Sequence, residues 1–194
     1  MLNVAPVTLQ GNLVRLEPLR PVHAERLRKA GSFEAIWTYT ASRMDDALAY
    51  IEEAMRKEQA GTELPFAILD KGGERVWGST RFLAVSPRDR GLEIGSTWLT
   101  PSVWKTGVNT ECKYLLLRHC FEELDCVRVQ LKTDGRNLNS QRAIERLGAV
   151  REGVLRSDKM VQNGYIRDTV YYSILDREWP AVKYRLQKLM AGES

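Results

Sequence analysis

Apolar residues recur along this chain with two different periods, and the switches between them mark out its elements. Leu13 to Pro18 alternates apolar and polar, the period of a half-buried strand. Pro21 then opens a helix with Ala24, Leu27 and Ala30 on one face. Asp45 is read as the N-cap of a second helix, through Gln59, with Leu48, Ile51, Ala54 and Met55 in one stripe. Pro65 to Leu69 is a short apolar strand. Lys71-Gly72-Gly73-Glu74 turns it into a strand from Arg75 to Val85. A second turn, Ser86 to Gly91, leads to a strand from Leu92 to Leu99. Val108 to Leu124 reads as a helix too apolar for a surface position, since Val108, Cys112, Leu115, Leu116, Leu117, Cys120 and Phe121 all belong to it. Val127 to Lys132 alternates without a break. Ser140 to Leu147 is a short helix, and Gly148 suits the left-handed position that ends one. Asn163-Gly164 is a two-residue hairpin signal between strands at Ala149–Met160 and Tyr165–Leu175. A last helix, Arg177 to Met190, carries Trp179, Val182, Leu186 and Leu189 on one side. The order β-α-α-β-β-β-α-β-α-β-β-α predicts a single α+β domain over residues 1–194, without repeats or linkers.

Composition changes this picture little. At 194 residues, 43% hydrophobic and 28% charged, the chain can bury a core without disulfide or metal. The formal charge of +4 suits an acidic ligand or an RNA-rich neighbourhood. Basic and acidic residues are interleaved, so direct nucleic-acid binding is not expected. Three cysteines without a C-x-x-C spacing do not form a secreted disulfide framework and point to a reducing cytoplasm. With only His23 and His119, a His/Cys metal site is not expected. The N-terminus shows no signal-peptide pattern, and no apolar run approaches the ~20 residues that span a bilayer.

The segment Trp104-Lys105-Thr106-Gly107-Val108-Asn109-Thr110 stands between a strand and the apolar helix. A strand, a glycine turn and a helix N-terminus make a place for phosphate, because the first helical N–H groups lack internal partners and the helix dipole adds positive charge. The segment is not a triphosphate-binding loop, since Lys105 precedes its one glycine, and G-x-G-x-x-G is absent. The alternative is a tight turn in which Gly107 supplies a positive φ.

These residues, taken with a second segment, resemble the GNAT superfamily of acetyl-CoA-dependent N-acetyltransferases. That superfamily's pyrophosphate motif, [RQ]-x-x-G-x-[GA], falls in register on Trp104 to Asn109. Its second motif falls on Asn137, Ser140, Gly148 and Ala149. Glu93-Ile94-Gly95, Glu111, Gln141-Arg142-Ala143, Glu152-Gly153-x-x-Arg156, the hairpin Asn163 to Asp168 and Tyr172 to Leu175 resemble the RimJ/RimL branch, over about residues 13–180. Trp104 replaces the usual Arg or Gln, Asn109 a small residue, and Lys105 a glycine common in relatives. If position 105 needs φ > 0, Lys is strained there; otherwise it offers a cation to the cofactor phosphates.

The resemblance implies a central mixed, mostly antiparallel twisted sheet flanked by helices, its strands splayed where acetyl-CoA binds. It implies direct transfer of an acetyl group to a primary amine. The cofactor would lie on the Trp98–Leu99 backbone, on Trp104, Lys105, Thr106, Gly107, Val108, Asn109 and Thr110, and at Asn137 and Ser140. Ser140 is the expected hydroxyl at the thiolate; alternatively Asn139 and Ser140 merely cap a helix. Glu93 is the expected base, acting through water, since a partly buried carboxylate can hold its proton more tightly. It could instead face solvent or pair with Arg81 or Arg15. Asp168 and Tyr172 are the alternative bases. Trp37 and Tyr39 would line the acceptor pocket or be core aromatics, and Arg81 would meet a carboxylate-bearing acceptor. Cys112 and Cys120 read as buried small hydrophobes. The acceptor would be a protein N-terminus, as in ribosomal-protein acetylation, or else a small amine such as an amino acid, polyamine or antibiotic. A coenzyme A-binding module without turnover is the third reading. A homodimer through the late hairpin or the C-terminal helix is left open.

Overall fold

A computed structural model describes residues 2–161 and 164–192. Eight strands form one sheet: β1 (Leu9–Gln10), β2 (Val14–Pro18), β3 (Leu64–Asp70), β4 (Val76–Ser86), β5 (Gly91–Leu99), β6 (Arg128–Asp134), β7 (Val150–Met160) and β8 (Ile166–Leu175). Five helices flank it: α1 (Ala24–Ala30), α2 (Ala47–Gln59), α3 (Val108–Arg118), α4 (Leu138–Leu147) and α5 (Trp179–Ala191). The strand order is β1-β2-β3-β4-β5-β6-β8-β7, and every pairing is antiparallel except β5 with β6. A parallel pair needs a long crossover, and here it contains α3.

Alternation along the strands builds two cores. Leu64, Phe66 and Ile68 of β3, with Phe82, Leu92 and Ile94, pack on Cys112, Leu115 and Leu116 of α3 and Leu186 of α5. Ala67 and Leu69, from the other face of β3, join Leu27 of α1, Ile51 and Ala54 of α2, and Trp98. Both faces of β3 are therefore covered, which is why it reads as an unbroken apolar run.

The parallel pairing is short. It joins Gly91 to Arg128, Leu92 to Val129 and Glu93 to Gln130, and stops there. Beyond Glu93 the two strands part, leaving the facing edges of Ile94–Leu99 and Leu131–Asp134 unpaired with each other. This is the splay that the resemblance implies. β5 also carries an extra residue: Ser79 pairs with Trp98 but Arg81 with Gly95, and Ser96 adopts φ 47°. Such a bulge bends a strand and re-aims its side chains.

Several local expectations are corrected. The cap of α2 is Asp46, whose carboxylate accepts from the Ala49 N–H at 2.7 Å; Asp45 stays outside and pairs with Arg43. α3 ends at Arg118, and a π-helical turn, His119–Glu123, follows it. A single such turn inserts a residue into the helical ladder, shifting the apolar pattern without ending it. α5 starts at Trp179, after a 3-10 turn at Asp176–Glu178. Asn163 lies outside the described residues; Gly164 has φ 78°, as a hairpin glycine should.

Candidate active site

The splay, the N-terminus of α3 and the start of α4 face one wedge in the sheet. α3 folds back along β5, because Lys113, one and a half turns into the helix, meets Thr97 near the end of the strand. Glu111 fixes that placement. Its buried carboxylate accepts from the N–H groups of Asn12, Leu13 and Val14 at 2.8, 2.7 and 2.8 Å, tying α3 to the turn between β1 and β2.

At the α3 N-terminus, Gly107 has an ordinary φ of −67°, so it does not supply a left-handed turn. Lys105 does, at φ 59°, and is the strained residue of the loop. Thr106 ties the loop down: its hydroxyl donates to the Val103 carbonyl at 2.7 Å and accepts from the Val108 N–H at 3.3 Å. The N–H groups of Lys105, Thr106, Gly107, Asn109 and Thr110 have no hydrogen bond to another described residue. These free donors at a helix N-terminus are what a pyrophosphate requires. Trp104 begins the loop. Its indole folds back and donates to the Leu99 carbonyl at 2.7 Å, so that acceptor on the β5 edge is already occupied.

Glu93 sits at the apex of the wedge and is almost fully buried. It pairs neither with Arg81 nor with Arg15. Its Oε2 is 2.8 Å from Lys132 Nζ and accepts from Gln130 at 3.2 Å, while Oε1 has no hydrogen bond to another described residue. Gly95 makes the room, since a Cβ there would lie 2.6 Å from Glu93 Oε1. Further along β5, Lys113 of α3 is 6% exposed; its ammonium donates to Thr97 at 2.8 Å, and Thr97 shares a 2.7 Å hydrogen bond with Thr80. Burial lowers the Lys113 pKa to about 8.

The α4 segment resolves an alternative. The cap is Asn137, whose side chain accepts from the Ser140 N–H at 3.0 Å, rather than Asn139 or Ser140. The Ser140 hydroxyl is half-buried and has no hydrogen bond to another described residue.

The remaining expected residues divide. Trp37 is a core aromatic: 3% exposed, 5.2 Å from the Trp98 ring, and donating to the Gly31 carbonyl. Tyr39 is exposed and lies 5.6 Å from the Arg136 guanidinium, which also stacks on Tyr165 at 3.6 Å. Arg81 is buried against Tyr50 and bridged to Glu63 at 2.8 Å, although its Nε keeps no partner among the described residues. Tyr172 is fully buried and donates to Glu145 at 2.9 Å; burial and that bond push its pKa up to about 12, away from a base at neutral pH. Asp168 lines a cavity of about 340 Å³ with Asp134, Arg136 and Tyr165; Glu93 is not among its lining residues. Burial pushes the Cys112 thiol up to about 12, so no thiolate stands on α3. Among the described residues no His, Cys, Asp and Glu group could hold a metal ion, and no helix is long and apolar enough to cross a membrane.

Lys113, Lys132 and Arg136 escaped sequence reasoning. Lys113 left one signal, a cation inside the apolar stretch from Cys112 to Leu117.

A mixed sheet opened between two parallel strands, with free helical N–H groups at the base of the opening, defines an acyltransferase of the coenzyme A-dependent kind. Residues 14–150, well over half of the chain, match the family model described as an acetyltransferase (GNAT) domain. A crystal structure from T. thermophilus, provisionally named an acetyltransferase, shares 38% identity and a TM-score of 0.86, covering 96% of this chain and 98% of that one. YdaF of Bacillus subtilis (strain 168), provisionally named a ribosomal N-acetyltransferase, is 37% identical over 49% of this chain and 51% of its own length. The chain thus spans about half of that curated relative. In fold alone it is also similar to Mycobacterium smegmatis RimJ in complex with CoA-disulfide, at 21% identity, TM-score 0.80, and coverage of 97% and 94%. The chain belongs to the GNAT acetyltransferase family.

Proposed function

We propose that this chain, acting as one catalytic unit, moves the acetyl group of acetyl-CoA to the α-amine of a protein N-terminus. The observation that carries the reading is the wedge itself, with unpaired strand edges, free N–H groups at one end and a buried carboxylate at its apex. The ribosomal-protein acceptor class rests on the name of the Bacillus subtilis relative.

The residues fit the cofactor. The free N–H groups of Lys105, Thr106, Gly107, Asn109 and Thr110 would hold its pyrophosphate, and the β5 edge up to Trp98 would hold its pantetheine arm. Leu99 offers only part of its backbone, given the Trp104 bond. Bound acetyl-CoA supplies an activated acyl thioester. Glu93 Oε1 accepts a proton from the acceptor amine, directly or through one water, while Lys132 and Gln130 hold Oε2 and fix the carboxylate. Asn137 shapes the α4 start so that the Ser140 hydroxyl stands free to hydrogen-bond at the far end of the arm. Tyr39 and the Arg136–Tyr165 stack form the acceptor side.

The test is thiol release from acetyl-CoA with N-terminal peptides of ribosomal proteins, against free amino acids, polyamines and aminoglycosides. Peptide-dependent release, with mass gain at the α-amine, is the expected result. Release with a small amine alone moves the acceptor class. Binding of acetyl-CoA with no release on any amine leaves a coenzyme A-binding module.

A further inference from the structure

Lys113 holds a buried charge that the reaction as described does not use. The residue is 6% exposed and, among the described residues, its ammonium forms no ion pair. Its one hydrogen bond goes to Thr97, which Thr80 holds in turn. An uncompensated buried ammonium is strongly unfavourable, and a chain that only needed packing here would carry an apolar residue. The bulge at Gly95–Thr97 is what turns Thr97 toward the helix to receive it. Two groups act on Lys113 electrostatically: Glu93, four positions from Thr97 on β5 and already paired with Lys132 of β6, and the neighbouring Cys112 on α3. Lys113 thus lies against the part of β5 whose edge is free of β6, with the expected base on the same strand at the apex of the wedge.

We propose that Lys113 is the cation that receives the departing sulfur. This rests on the acetyltransferase reading above. The acceptor amine forms its C–N bond at the thioester carbonyl carbon, the C–S bond breaks, and its electron pair goes to sulfur. The amine's proton passes to Glu93, and the Lys113 ammonium donates a proton to the thiolate, becoming neutral until solvent restores it as coenzyme A leaves. A pKa held near 8 by burial puts this donor close to a thiol's own value of about 8.5, so the proton moves with little penalty either way. An ordinary lysine, at about 10.4, is a weaker acid by two orders of magnitude.

The test is the titration of bound coenzyme A, followed by thiolate absorbance in the ultraviolet, in the whole protein and in Lys113→Met, Lys113→Gln and Ser140→Ala. Neutral replacements remove a buried charge, and two of them guard against one that misfolds. The expected result is a bound thiol pKa at least about one unit below that of free coenzyme A in wild type, and no lowering in either Lys113 variant. An unchanged thiol pKa across the Lys113 variants, or a lowering that disappears only in Ser140→Ala, overturns the assignment. Equal loss of affinity for coenzyme A and desulfo-coenzyme A in Lys113→Met, without a thiol shift, also overturns it and places the cation on the pantetheine arm. Failure of wild type to bind coenzyme A at all fails the acetyltransferase reading instead.

Discussion

Glu111→Ala should unfold the link between the cofactor helix and the first hairpin, and its size can be worked from three hydrogen bonds. The carboxylate accepts from Asn12, Leu13 and Val14 at 2.7–2.8 Å. A hydrogen bond to a charged group is worth about 1.5–3 kcal/mol net, but the three cannot be added. Asn12 and Leu13 are exposed, so water replaces the lost acceptor there and each N–H costs a few tenths to about 1 kcal/mol. Val14 is fully buried, and its orphaned N–H costs about 2–3 kcal/mol. The expected destabilisation is therefore about 3–4 kcal/mol. For a domain of this size that lowers Tm by about 6–16 °C. Glu111→Gln should fare little better, because its amide nitrogen would turn a donor toward these donors. Urea denaturation followed by circular dichroism measures the difference. A loss below about 1 kcal/mol for Glu111→Ala would refute the claim that this carboxylate holds α3 in place.

Three other outcomes follow from single positions. Lys105→Gly should raise Tm by about 1–4 °C, since relief of left-handed strain worth about 1–2 kcal/mol exceeds the added chain entropy of about 0.5–1 kcal/mol; a drop in Tm contradicts the φ of 59°. Gly78→Ala should cost about 3 kcal/mol and weaken acetyl-CoA binding, because its Cβ would lie 2.0 Å from the Trp98 carbonyl oxygen and force β4 from β5; wild-type melting and binding would refute it. Lys113 is the pH-sensitive group: its folded pKa is lowered to about 8 from 10.5, so the unfolded chain binds more protons between those values and wild-type stability rises with pH across that window. Relative to Lys113→Met, denaturation at several pH values should show a gain of roughly 3 kcal/mol between pH about 8 and about 10.5, and a flat difference would refute the burial of that charge.

Most of the fold was legible because its signals are local. Alternation at Val127–Lys132 and the helical stripe from Val108 were enough to place β6 and α3, and Gly148 ends α4 at φ 102° as a left-handed cap. The departures are set by contacts between distant segments. The π turn after Arg118 keeps Cys120 and Phe121 buried against the sheet, which periodicity within the helix does not reveal. In the site, spacing and family motifs singled out the glycine loop that precedes α3 and Asn137 that caps α4, but not side-chain destinations. Trp104 folds onto Leu99, Glu93 meets Lys132 across a strand pair 39 positions away, and Arg81 turns to Glu63 beside Tyr50 of α2. Each pairing depends on strand register and on the bulge at Ser96, which no short sequence pattern encodes.

The central claim is that the wedge binds acetyl-CoA through the α3 N-terminus, and calorimetric titration of acetyl-CoA into the whole protein, with ATP and NAD as controls, tests it most directly. The account predicts one site per chain with micromolar affinity, about −8 kcal/mol, for acetyl-CoA and none of comparable strength for the controls. No heat with acetyl-CoA up to about millimolar concentration, or equal binding of ATP, would contradict it.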